Sequence, residues 1–208
     1  MIGQYLANIV FGYLLGSIPF GLLVGYLYLH RDIRDSGSGK TGTTNVLRTA
    51  GKTAAALVMI GDISKGALPA LVGRFVFHDD GVAAAGAGAA VVGHIWPIFA
   101  GFRGGRGVAS AFGAVLGLTP LLALFFPLIG AALVIPTRYV SLMSVLGTPL
   151  AAGIVVVAAI VGWQPAPFAA EAVFAALLIE YKHLPNIRRL LAGTEPRIGS
   201  GGDRPATG

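Results

Sequence analysis

Apolar residues along this chain fall in long runs separated by short polar stretches, so run length is a stronger signal than periodicity. The first run covers residues 2–29 and carries Gly12, Gly16, Pro19, Gly21 and Gly25 at spacings that let helices approach closely in lipid. A polar, basic stretch follows at 30–52, with Arg31, Arg34, Lys40, Arg48 and Lys52. The second run, 53–77, is interrupted by "GDISKG", where Asp62 and Lys65 are spaced to share a helical face and pair. A "HDD" turn at 78–80 leads to a third run at 82–102, then "FRGGRG", then an apolar stretch at 108–135 with Pro120 near its middle. Runs at 140–163 and 168–181 precede a basic tail. Runs near 20 residues match the roughly 30 Å hydrocarbon core of a bilayer. The pattern predicts an all-α integral membrane protein.

The stretch 108–135 is too long for one upright span and too short for two full ones, and charge parity decides its reading. Counted once, it gives six spans and puts the basic tail opposite the other basic loops. Split at Thr119-Pro120, it gives about seven, some short or broken, with the N-terminus outside and the C-terminus cytoplasmic. The split is the expectation. One transmembrane domain then covers 1–195, and the Gly/Pro-rich tail 196–208 is expected to be disordered.

Composition agrees. Charged residues make up 12% of the chain, about half the roughly 25% of soluble domains, and mean hydropathy is +0.76. The net charge of +6 suits anionic headgroups beside cytoplasmic loops better than nucleic acid. With no cysteine, disulfides, thiolate metal sites and thioester nucleophiles are excluded. The first run lacks a basic n-region and a small-residue cleavage pattern, so it is read as a retained span.

Residues 37–42, "GSGKTG", imitate two nucleotide-binding loops. A Walker A loop needs glycine where Arg34 stands, and both loops need a preceding strand where a membrane helix is expected. The match to a nucleotide site is accidental, but the underlying physics survives. Glycines let backbone N–H groups converge on an anion, and a following helix N-terminus favours it. Gly37, Ser38, Gly39, Lys40, Thr43, Thr44, Asn45 and Arg48 surround that loop. A second glycine cluster, "GHIWPIFAGFRGGRGVA", places Gly104, Gly105 and Gly107 around Arg106 on the same expected face. A third, "EYKHLPNIRRLLAGTE", holds His183 and Asn186 three residues apart, with Pro185 between them expected to mark a kink or helix start. Glu180 and Glu195 read as structural partners of Arg188 and Arg189. Two cation-bearing loops on one face point to phosphate ligands. On the residues alone, an enzyme and a transporter of a phosphorylated solute both fit.

Together the three clusters resemble the bacterial acyl-phosphate:glycerol-3-phosphate acyltransferases, whose motifs stand here as "GSGKTGTTNVLR", "GHIWPIFAGFRGGRGVA" and "KHLPNIRRLLAGTE". "LLGSIPFG" and "DISKG" match further landmarks, and the likeness runs from the first span to Glu195. The resemblance implies an enzyme of the bacterial inner (plasma) membrane with its active site facing the cytoplasm; a monomer is the expectation, though the residues themselves do not fix the oligomeric state. Its substrates would be acyl phosphate and glycerol 3-phosphate, its products lysophosphatidic acid and inorganic phosphate. No metal, cofactor, nucleotide or nucleic acid is implied. Carried over, Ser38, Arg48, His183 and Asn186 are the catalytic positions. Gly37, Gly39, Thr44, Asn45, Gly104, Gly105, Arg106 and Gly107 would bind substrate phosphate. Lys40 and Arg106 depart from the family pattern, which has Asn and Lys there.

Overall fold

The structure is a computed structural model describing residues 1–37 and 39–198. In chain order it runs α1 (Ile2–Gly16), α2 (Phe20–Leu29), a 3₁₀ turn (Ile33–Asp35), α3 (Thr43–Phe75), α4 (Asp80–Ile95) and a second 3₁₀ turn (Ile98–Ala100). Then come α5 (Val108–Leu118), α6 (Pro120–Ala123), α7 (Phe126–Thr137), α8 (Val140–Leu142), a π-helical turn (Met143–Gly147), α9 (Thr148–Ile160) and α10 (Ala166–Leu191). The described residues contain no strand.

These elements form seven hydrophobic segments, because α1 with α2, α6 with α7, and α8 with α9 each make one broken segment. Five are long and apolar enough to cross a membrane. At 1.5 Å per residue the 11 residues of α5 reach only about 17 Å. The expected division at Thr119-Pro120 is present: Thr119 leaves the helical region (φ −137°, ψ 69°) and Pro120 opens α6. Proline takes a first helical position well, its missing N–H being unneeded there.

Glycine and alanine line much of the interior, with Phe168, Ile95, Leu118 and Ile179 among the few large buried side chains, and many large apolar side chains face outward. Leu6, Leu27, Ile60, Leu128, Ile135 and Ile160 are all exposed, as expected where the solvent is lipid. The bundle closes through backbone contact. A Cβ on Gly12 would lie 2.1 Å from the Gly86 carbonyl oxygen, one on Gly16 2.2 Å from that of Ala90, and one on Gly93 2.3 Å from that of Tyr13. These glycines set α1 directly on α4. Gly66 and Gly113 do the same for α3 against α5, at 2.0 Å from the Ser110 and Ile63 carbonyl oxygens. The small-residue reading of the first run therefore holds.

Two boundaries differ from expectation. α3 begins at Thr43, ten residues before the apolar run, and its first two turns are joined to the span through Gly51 at φ 88° and ψ −178°. The helix thus begins within the polar stretch and not at the apolar run. It buries Asn45 and Val46 beneath the preceding loop and exposes Leu47 and Arg48. At the other end α10 continues through Pro185 to Leu191. A single proline costs one backbone bond, and packing of the helix can outweigh that loss.

The loops after α2, α4, α7 and α10 meet at one end of the bundle. Arg34 Nη1 donates to the Ala100 carbonyl oxygen at 3.1 Å. Arg138 Nη2 donates to the Ile198 carbonyl oxygen at 2.7 Å, and the Ile198 N–H returns to the Arg138 carbonyl at 2.8 Å. Ile198 belongs to the tail expected to be disordered, of which 199–208 lie outside the described residues.

Candidate active site

The first glycine loop is shaped from beneath by Asn45. Its Nδ2 lies 3.1 Å from the Ile33 carbonyl oxygen, 3.1 Å from that of Ser36 and 2.8 Å from that of Lys40. Gly37 and Gly39 take positive φ (59° and 67°), a turn that side chains disfavour. A Cβ on Gly37 would also meet Asn45 Oδ1 at 2.2 Å. Asp32 caps the 3₁₀ turn by accepting the Arg34 N–H at 2.8 Å, and it pairs with the Arg34 guanidinium at 2.6 Å. This pair raises the Arg34 pKa and lowers that of Asp32. Arg34, the residue that excludes a Walker loop, is thus a strut across the end of the bundle. Ser38 lies outside the described residues, so its expected role has no geometry here. Thr44 and Arg48 are exposed on the first turns of α3, and the Thr43 hydroxyl is buried with no hydrogen-bond partner.

The second glycine loop lies flat on the end of α4. A Cβ on Gly104 would come 2.1 Å from the His94 carbonyl oxygen, and one on Gly105 2.2 Å from His94 Nε2. The Gly105 N–H donates to the same carbonyl at 3.2 Å. Gly107 takes φ 90° and opens α5. Gly104 and Gly105 are therefore required by close packing, and Gly107 by its turn. Arg106, between them, has a buried Nε with no hydrogen-bond partner. Burial holds its guanidinium below the ordinary value, and Arg189 and Arg48 add to this against Glu195.

The third cluster faces Arg106. His183 and Asn186 are both buried on one face of α10, at 2% and 3% exposure. The expected shared face is present because the helix does not stop at Pro185. His183 Nδ1 lies 2.8 Å from the Ile179 carbonyl oxygen. A carbonyl can only accept, so Nδ1 carries the proton and Nε2 is the free lone pair of the neutral ring. Glu195 accepts from Asn186 Nδ2 at 2.7 Å and Arg189 Nε at 2.7 Å. Burial pushes the Glu195 carboxyl up, but its hydrogen bonds, with Asn186 and Arg189 among the donors, outweigh that and leave it below 4.5. Glu195 thus has the expected structural partner in Arg189. Glu180 Oε1 has no hydrogen-bond partner. Lys182 lies over the Trp96 ring at 5.3 Å, within the fields of Lys40 and Arg106.

The geometry gathers Arg48, Arg106, Lys182, Arg189, His183 and Asn186 at one end of the helices. A family model described as glycerol-3-phosphate acyltransferase matches residues 6–193. The chain belongs to that family. Among curated relatives, the glycerol-3-phosphate acyltransferase of Rubrobacter xylanophilus is 42% identical, covering 93% of this chain and 96% of that one. That of Synechococcus sp. is 42% identical, covering 97% and 99%. Two crystal structures of the integral membrane glycerol 3-phosphate acyltransferase PlsY (YgiH) are similar throughout. The glycerol 3-phosphate form has TM-score 0.86 and 40% identity, covering 94% of this chain and 96% of that one. The lysophosphatidic acid form has 0.84 and 39%, covering 94% and 95%.

Two features of this family member escaped sequence reasoning. His94 is one: it was read only as part of a glycine motif, yet it packs under that motif and lies 3.4 Å from Asp62. The signal was available, since Asp62 and Lys65 inside an apolar helix demand further partners. The other is a spacing match. His30 and Asp35 fit the H-x-x-x-x-D pattern of acyl-CoA-dependent acyltransferases. Both are exposed, and no ion pair joins them among the described residues. The pair is not built as a base and its orienting acid.

Proposed function

We propose that this chain transfers an acyl group from acyl phosphate to the 1-hydroxyl of sn-glycerol 3-phosphate. The products are lysophosphatidic acid and inorganic phosphate. The observation that carries this reading is the gathering of Arg48, Arg189 and Lys182 about Arg106, whose charge also reaches His183, in a bundle whose outer surface is apolar. Such an end can hold two phosphates while an acyl chain stays in the bilayer. The relatives' names and the two ligands of the similar crystal structures point the same way.

An acyl phosphate is already activated, so the protein's task is to bring two anions together and stabilise charge as it develops. The substrate hydroxyl oxygen bonds to the acyl carbon, and the carbon–oxygen bond to phosphate breaks. The hydroxyl proton leaves on the departing phosphate. Arg48 and Arg106 hold phosphate oxygens, and Arg106 does so with a forked donor. Thr44, Gly37 and Gly39 border the first phosphate loop, with Asn45 fixing its shape. His183 Nε2 orients the attacking hydroxyl beside Asn186, and Ser38 orients substrate without forming an acyl-enzyme. No metal or nucleotide takes part. The site faces the cytoplasm of a bacterial plasma membrane, the side on which the basic loops stand. The protein acts as a monomer in this reading, with a single domain spanning 1–195.

The test supplies purified protein with palmitoyl phosphate and labelled glycerol 3-phosphate, with palmitoyl-CoA as the competing donor. Labelled lysophosphatidate from the acyl phosphate alone supports the reading. Formation from palmitoyl-CoA alone would reinstate His30 and Asp35.

A further inference from the structure

Beneath the second glycine loop, a chain of buried polar groups crosses the bundle. It begins where the first hydrophobic segment breaks. α1 ends at Gly16, α2 starts at Phe20, and Lys65 Nζ donates to the carbonyl oxygen of Ile18 between them at 2.9 Å. A cation suits that place, because a helix C-terminus carries partial negative charge. Lys65 also pairs with Asp62 at 2.9 Å, both side chains being 3% exposed. Asp62 Oδ1 lies 3.4 Å from His94 Nδ1, which is 3.0 Å from Ser110 Oγ in the first turn of α5. The far side of the imidazole, Nε2, supports Gly105.

Buried charges in a bilayer are costly, and apolar residues of similar volume would fill this space more stably. The network ends on the loop that carries Arg106. From these contacts we infer that Asp62, Lys65 and His94 are positioning residues. They fix the Gly104–Gly107 loop so that Arg106 meets substrate phosphate. None of the three touches substrate; they act through the loop. The inference rests on the acyl-transfer reading for its kinetic consequence, but not for its structural one.

The partner groups fix the choice of variants. Nδ1 faces the Asp62 carboxylate, which can only accept, and the Ser110 hydroxyl, which can do either, so an N–H at that place suits both. Asparagine at position 94 can supply an N–H at that place, whereas leucine fills the volume without it. The experiment compares His94→Asn and His94→Leu in the full chain by steady-state kinetics, thermal unfolding and amide exchange of residues 101–107. For His94→Leu, we expect faster exchange in the loop and a KM for glycerol 3-phosphate raised on the order of tenfold or more, with kcat changed less. His94→Asn should recover most of both. Asp62→Asn gives a second reading, loosening the loop less than His94→Leu because an acceptor for Lys65 remains. Two results would overturn the inference. One is unchanged loop exchange and KM in His94→Leu; the other is a lowered melting temperature shared equally by Asn and Leu variants with KM unmoved. Should the unsubstituted protein make no lysophosphatidate, the acyl-transfer reading fails, and loop exchange still decides the network.

Discussion

His183 Nδ1 donates to the carbonyl oxygen of Ile179, one turn back on the same helix, at 2.8 Å. That bond fixes the tautomer and the ring's orientation, leaving Nε2 as the working atom. Asparagine can copy the Nδ1 donor but has no counterpart of Nε2. His183→Asn should therefore fold and lose kcat by about 10–100-fold, with KM for either substrate nearly unchanged, the signature of a lost transition-state contact. Equal kcat values in the variant and the parent would remove Nε2 from the reaction.

Arg106 is a half-buried cation whose Nε has no acceptor among the described residues. Charge-assisted bonds contribute about 1.5–3 kcal/mol, so Arg106→Ala should raise KM for a phosphorylated substrate by roughly 10–100-fold. Arg106→Lys should recover part of that as a point charge without the fork. Initial-rate measurements varying each substrate in turn will show which phosphate the guanidinium holds.

Gly105 and Gly153 make a controlled pair. A methyl on Gly105 would meet His94 Nε2 at 2.2 Å, whereas one on Gly153 meets nothing within 4 Å. Gly105→Ala should lower both melting temperature and activity. Gly153→Ala should leave activity intact, with stability unchanged or raised by up to about 1 kcal/mol. Equal behaviour of the two variants would contradict the flush packing of the loop on α4.

Glu195 links the end of α10 to the segment after it. Its folded pKa lies below its ordinary 4.5, despite burial that pushes it up. A depressed carboxylate contributes stability above its unfolded pKa and loses it as pH falls through the folded value. Docking of residues 192–198 should thus be intact at neutral pH and weaken progressively as pH falls below 4.5. Proteolysis after Arg197, followed against pH, measures this. Glu195→Gln should flatten the dependence. The same dependence on pH in the parent chain and in Glu195→Gln would count against it.

Much of this was legible in the chain because lipid imposes simple rules. Run length gave the helices, and parity divided 108–135 at Thr119-Pro120. Glycines 12 and 16 announced a close crossing without naming its partner. What stayed hidden depends on contacts between distant segments. The helix over 43–50 forms on a polar stretch because Asn45 and Val46 pack under the loop, and Pro185 sits inside α10 because the surrounding helix holds it. The motif does not show that Asn45 Nδ2 lies against three loop carbonyls. His94 passed for a motif letter until Asp62 was placed beside it.

The most direct measurement counts phosphate and lysophosphatidate together in one reaction of purified protein with palmitoyl phosphate. With glycerol 3-phosphate present, one phosphate should be released for each lysophosphatidate formed; without it, no burst of phosphate should appear. Failure to form lysophosphatidate, or a burst equal to the enzyme concentration with the label left on the protein, would contradict direct transfer between two phosphate-held substrates.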